Sequence, residues 1–302
     1  MDLKSFAAVV AEGIQKRLGE GFNISVLTTL KNNSTEYTGI SFQKITEKIS
    51  PTIYIDDVYE EYLENEITIS DAVEELIDRY ESSMKAMADL HTLSIDYENC
   101  RDKIIYRLVS REQNKKLLEN MPYIPFLDMA ITFHLVVSIS EHYMQSLKIS
   151  RELQENWGVS VEQLYKMAKE NTERLLPPEV SGLRQRVEKY MTLETAGKQI
   201  GEGDLTKSEK IDMIVISNKL GINGAAVVLY EGLIEKIAEN YNSDLFLLPS
   251  SIHEMIVVPA YDRKLHEVFT GIVGCINEKY VEREEILSDR VYIYLKDEKK
   301  FI

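Results

Sequence analysis

The spacing of apolar residues changes along the chain, and each change marks an element. Leu3, Phe6, Ala7, Val10, Ile14 and Leu18 recur at helical spacing, which predicts an amphipathic helix ending near Gly19 and Gly21. The period then becomes two. Ile24, Val26, Thr28 and Leu30 alternate with Ser25, Leu27 and Thr29, and Thr38, Ile40 and Phe42 alternate again beyond Lys31-Asn32-Asn33-Ser34. Asn tolerates the left-handed conformation of tight turns, so residues 24–42 read as a β-hairpin. Pro51 to Ile55 reads as a short extended piece. Asp56 or Asp57, and then Ser70, are candidate caps for two further helices. The second carries Val73, Leu76, Ile77, Tyr80, Met84 and Met87 on one face.

In the middle of the chain, Ile104, Tyr106 and Leu108 alternate as a strand does. A short helix is expected at 111–119, ended by Pro122 and Pro125. Residues 127–139 form the most apolar run. Its β-branched content favours a buried strand, with a buried helix as the alternative, and 143–149 reads as the returning strand. Ser160 and Gln163 have the spacing of a capping box, and Pro177-Pro178 stops that helix. Residues 181–208 are polar and carry Gly197, Gly201 and Gly203, so they read as a linker or excursion between domains at 1–180 and 209–302. Further on, strands are expected at 212–217, 225–229, 245–248, 255–258 and 291–295. Helices are expected around 233–238 and 262–273.

Strand–turn–strand–helix order thus recurs near 24–64, 127–172, 211–240 and 245–277, without repetition of residue identities. Hairpins followed by helices imply an α+β fold, with antiparallel sheets and helices packed mainly on one face.

Composition narrows the function. The 302 residues include 50 Asp and Glu against 35 Lys and Arg, a formal net charge of -15. Phosphate backbones and anionic lipid surfaces bind clustered positive charge, so nucleic acid and membranes are not expected partners. The N-terminal stretch is amphipathic and does not resemble a signal peptide. No run approaches the roughly 18 apolar residues of a membrane span. Cys100 and Cys275 lie far apart, outside any CxxC pair, and read as reduced, buried thiols of a cytoplasmic protein. The dinucleotide signature GxGxxG and the phosphate loop GxxxxGK[ST] are both absent, so no cofactor is implied.

Three clusters are candidates for chemistry. Ser250, Ser251, His253 and Glu254 place hydroxyls, an imidazole and a carboxylate between two apolar strands, the groups a hydrolase needs. Neighbours on an extended chain point opposite ways, however, and the GxSxG elbow is missing, so a polar turn is the competing reading. His134, Glu141 and His142 would begin a metal site if the hairpin turned near Ser138 and set the two histidines opposite one another, about 5 Å apart. Lys31, Asn32 and Asn33 offer donors to a bound anion, or simply form a hairpin turn with a solvated lysine.

Certain short runs resemble those of a bacterial domain-of-unknown-function family (DUF5688-type) found mainly in anaerobic Gram-positive bacteria. They are Lys31-Asn32-Asn33, Pro51-Thr52-Ile53-Tyr54, Asn114-Lys115, Pro125-Phe126-Leu127-Asp128 and Trp157-Gly158-Val159. Ala168 with Asn171-Thr172, Gly224-Ala225-Ala226, Leu248 through Glu254, and Leu287-Ser288-Asp289 with Val291-Tyr292 complete the set. Ser34 stands where the family more often has Gly, which alters only the turn. The resemblance implies membership along nearly the whole chain but no activity. The sequence therefore points to a non-catalytic interaction or accessory protein that binds a protein partner or itself. A hydrolase built on residues 250–254 is the alternative.

Overall fold

The structure is a computed structural model. It describes residues 1–46, 51–86, 95–140, 143–184, 213–249 and 251–302. Met87 of the expected helix face, Glu141, His142, Ser250 and most of the expected linker lie outside the described residues. The chain forms two compact units, Met1–Ile95 and Asp96–Ile302. The division expected at 181–208 therefore falls inside the second unit.

In the first unit, α1 (Leu3–Leu18) begins at Asp2, whose carboxylate accepts from the Ser5 N–H. The hairpin of β1 (Phe22–Leu30) and β2 (Glu36–Lys44) follows, and β3 (Thr52–Tyr54) pairs antiparallel with β2 as the edge strand. Asn33 and Ser34 of the hairpin turn both have φ of 55°, the left-handed region where Gly carries no penalty. Phe6, Val10 and Ile14 of α1 and Ile40 and Phe42 of β2 are fully buried. They meet Val58 of α2 (Asp56–Leu63) and Leu76 of α3 (Ile69–Ala86) in one core. The caps differ from expectation. Ile55 precedes α2, and Asp56 accepts instead from the Thr38 N–H at 3.0 Å. At α3 the cap is Thr68 and not Ser70: Thr68 Oγ1 accepts from the Asp71 N–H, and Asp71 returns the bond to the Thr68 N–H.

The second unit opens with α4 (Tyr97–Cys100) and β4 (Ile104–Ser110). It continues through α5 (Lys115–Leu118), β5 (Tyr123–Phe126), β6 (Met129–Ile139) and β7 (Met144–Lys148). The buried run near 127–139 is a strand, β6, with β4 on one edge and β5 and β7 along the other. The helix expected at 111–119 shrinks to α5. Pro125, expected only to end it, sits in β5, at a sheet edge where its missing N–H costs nothing. After α6 (Arg151–Asn156), α7 (Val161–Leu175) starts at the Ser160–Gln163 capping box. β8 (Pro178–Gly182) and β9 (Ile214–Asn218) then pair antiparallel across the residues between them.

The strand expected at 225–229 is a 3-10 turn over Gly224–Leu229, entered from Asn223 in the left-handed conformation. The run Gly224 to Val228 is buried at every position, and periodicity alone does not separate such a run from a strand. Then come α8 (Leu233–Tyr241), β10 (Leu245–Pro249), β11 (Met255–Pro259), α9 (Leu265–Tyr280), β12 (Tyr292–Leu295) and β13 (Lys300–Phe301). The six-stranded sheet has the order β13-β12-β10-β11-β9-β8, antiparallel throughout. Alternation along β10 splits two cores. Leu245 and Leu247 join Ile234 and Ile237 of α8, while Phe246 and Leu248 join Phe269 and Val273 of α9. This sheet is thus covered by a helix on each face.

Candidate functional site

β10 ends at Pro249 and β11 begins at Met255, and His253 between them meets the neighbouring turn at Asn223. Gly224 fits against this connection. A Cβ there would lie 2.1 Å from Ser217 Oγ, 2.4 Å from the His253 carbonyl oxygen and 2.7 Å from the Asn218 nitrogen. Ser217 Oγ donates to that same carbonyl at 2.7 Å, and the Ala225 N–H donates to the Ile252 carbonyl at 3.2 Å. Both ring nitrogens of His253 are engaged. Nδ1 accepts from the Asn223 N–H at 3.2 Å, which places the proton on Nε2, 3.2 Å from Glu285 Oε1. Ser251 Oγ accepts from the His253 backbone N–H at 3.0 Å. His253 thereby joins three segments of chain, and its sequence neighbour Ser251 serves the backbone. Nothing in the local spacing pointed to Glu285 as its partner.

His134 lies on β6, where its cross-strand partners are Ile105 and Lys148. β6 runs past Ser138 to Ile139, and the residue opposite His134 on β7 is Lys148. Among the described residues no group of three or more His, Cys, Asp and Glu is placed to hold a metal ion. His134 is buried, with Nε2 3.1 Å from Thr132 Oγ1 and Nδ1 without a hydrogen-bond partner. Burial, with help from the charges of Arg107 and Lys148, holds its pKa well below the ordinary histidine value. Arg107, on the same sheet face, donates to Ser146 Oγ at 2.5 Å, and burial pulls its pKa down to about 10.

Lys31 meets aromatic rings. Its Nζ stands 4.3 Å from the Tyr54 ring centroid and 5.7 Å from that of Tyr37. These tyrosines border a cleft of about 720 Å³ between β3 and one face of α3, lined also by Asp56, Asp57, Glu75, Asp78 and Arg79. Asn33 is buried, in keeping with its part in the turn.

Other polar residues lock elements together. Asn171 donates to the carbonyls of Arg101 and Ile104, and Thr172 Oγ1 accepts from the Tyr106 N–H at 3.0 Å, which rivets α7 to β4. Asp128, between β5 and β6, accepts from Ser288 Oγ at 2.9 Å and from the Tyr292 hydroxyl, which is also 2.7 Å from Ser288 Oγ. Desolvation, with Asp128 alongside, drives the Tyr292 pKa up.

The surface of α9 carries a row of exposed apolar residues. Val268, Ile272 and Ile276 follow one another at four-residue spacing and are 54%, 44% and 39% exposed. Gly271 and Cys275 lie between them and are exposed as well. Cys275 is therefore not the buried thiol expected from sequence, while Cys100 is. Beside this row, Ile272 and Ile276 also line a small apolar pocket of about 170 Å³ with Leu183, Met213 and Leu248.

These features define an antiparallel α+β protein whose polar clusters fasten its turns and whose exposed surface includes an apolar helix face. The chain belongs to the Family of unknown function (DUF5688), whose model matches residues 3–296. No curated protein and no solved structure matches it. Among the described residues, no helix is long and apolar enough to cross a membrane.

Proposed function

We propose that the protein acts in the cytoplasm as a non-catalytic interaction protein, and that the outer face of α9 pairs with a second copy of the chain. The carrying observation is the exposed row Val268, Ile272 and Ile276 on a sixteen-residue helix. Single exposed apolar residues are ordinary, whereas an aligned row beside an apolar pocket marks a contact surface. Gly271, three residues from Val268 and exposed, supports this occupant. Nothing lies within 4 Å of where a Cβ would stand on it. Glycine in a helix interior costs about 0.5–1 kcal/mol relative to alanine, a cost offset when another backbone approaches closely. A twofold axis near Gly271 would bring each face against itself in antiparallel fashion and set Lys264 against Glu278 of the second copy.

The hydrolase reading of Ser250, Ser251, His253 and Glu254 draws less support. The imidazole is committed at both nitrogens, to the Asn223 N–H and to Glu285. A general base needs one of them on a nucleophile.

Sedimentation equilibrium of the full chain tests the proposal. A micromolar dimer is expected, with Ile272→Glu shifting it to monomer while the circular dichroism spectrum is retained. A wild-type chain that stays monomeric at the highest soluble concentration, or a dimer indifferent to Ile272→Glu, refutes it.

A further inference from the structure

The first unit carries a cleft whose lining is unlike the apolar row on α9. β3 is the edge strand of its sheet. Its bonds to β2 are made at Pro51 and Ile55, and Ile53 pairs with Ile40. By the alternation of an antiparallel ladder, the backbone groups of Thr52 and Tyr54 therefore point away from β2. Both residues line the cleft of about 720 Å³, whose opposite wall is the face of α3 bearing Glu75, Asp78, Arg79 and Ser82. An edge strand facing a cleft is a template for strand addition by an extended segment.

The lining specifies the side chains such a segment would carry. Arg79 is already held by Asp57 at 2.8 Å and by Glu75 at 2.6 Å. Asp78 has no ion pair among the described residues. Asp56 spends one oxygen on the Thr38 N–H, and burial raises its pKa, which an incoming cation would reverse. The wall beside these carboxylates is the Tyr37–Tyr54 pair, with ring centroids 5.4 Å apart. The chain's own Lys31 ammonium sits 4.3 Å from the centre of the Tyr54 ring, so this aromatic surface already accepts a cation.

We propose that this cleft binds an extended basic segment of a partner protein. The segment adds to the edge of β3 through the backbone of Thr52 and Tyr54, and places a lysine or arginine side chain between Tyr54, Asp56 and Asp78. Lys31 is then an internal competitor that the partner's cation displaces.

Fluorescence anisotropy with the full chain and a dye-labelled peptide alternating Lys and Thr tests this, beside a Glu–Thr counterpart. The Lys–Thr peptide is expected to bind and the Glu–Thr peptide not. The double variant Asp56→Asn, Asp78→Asn keeps an acceptor for the Thr38 N–H, and is expected to weaken binding about tenfold or more, since each tenfold corresponds to loss of one charge-assisted contact. Lys31→Ala is expected to tighten it several-fold. Unchanged thermal midpoints show that the variants fold. No binding of the Lys–Thr peptide, equal binding of both peptides, or indifference to the double variant overturns the proposal. So does full competition by free spermidine at matched charge, which would show that a loose amine suffices without strand addition.

Discussion

Replacing Gly224 by alanine adds one methyl group at a point of the second unit with no room for it. The added carbon would sit 2.1 Å from Ser217 Oγ and within 2.4–2.7 Å of two backbone atoms, the His253 oxygen and the Asn218 nitrogen. A side-chain tip can rotate away, but the two backbone atoms belong to the end of β9 and to the connection that closes β10 on β11. Their displacement breaks the Ser217 to His253 hydrogen bond and strains the Asn223 to His253 bond beside it. Overpacking a close-packed interior costs about 1–3 kcal/mol. A buried polar group left without its partner costs about 1–3 kcal/mol more. The expected destabilisation is therefore about 2–6 kcal/mol, centred on about 4 kcal/mol. Trp157 is the sole tryptophan and packs against the core of the second unit, so its fluorescence reports the unfolding of that unit. With a urea slope of about 2 kcal/mol/M, the midpoint should fall by about 2 M. A loss of less than about 1 kcal/mol would refute the reasoning, because it would mean that the connection yields freely and does not hold the strands.

Gly271→Ala makes the contrasting case: with open space at its Cβ position, it should raise monomer stability by about 0.5–1 kcal/mol while weakening the proposed dimer, read by urea titration and by sedimentation. His134 titrates below the unfolded histidine value, so the unfolded chain takes up a proton that the folded chain refuses as pH falls. Stability of the second unit should be full above the unfolded pKa of about 6.5 and decline below it by up to about 1.4 kcal/mol per pH unit from this residue. His134→Gln should flatten that slope in a pH series of urea unfolding followed by Trp157 fluorescence. Tyr292→Phe removes the hydroxyl shared by Asp128 and Ser288 and should cost about 1–3 kcal/mol by the same fluorescence assay.

Local signals in the sequence were legible where one face is buried and the other wet. The hairpin of β1 and β2, the Ser160–Gln163 capping box and α1 all follow from spacing within a few residues. A run with four of its five residues buried loses that contrast, which is why Ala225 to Leu229 reads as a strand and folds as a 3-10 turn. Proline misleads in the same way at β5 and β8, since a sheet edge tolerates the missing donor that a central strand would not. The candidate sites fared by distance. The role of Lys31 depends on Tyr37 and Tyr54, which only the pairing of β2 with β3 brings together. Glu285 reaches His253 across 32 positions of sequence, and Tyr292 reaches Asp128 across 164. No spacing rule encodes such pairs, although fragments containing Asp128, Ser288 and Tyr292 stand among the runs that carry the family resemblance.

The pairing of β8 with β9 has a practical consequence for the design of variants. Gly182 and Ile214 are direct partners, and the Leu183 N–H donates to the Met213 carbonyl at 3.0 Å. Two points far apart along the chain are thus clasped at one sheet edge. Loop length enters closure entropy only logarithmically, so a change in the number of residues joining Gly182 to Ile214 is expected to alter the closure of this pair by only about 0.6 kcal/mol per doubling of length. The edge of the six-stranded sheet is in this sense a clasp, joining stretches of chain that lie far apart in the sequence.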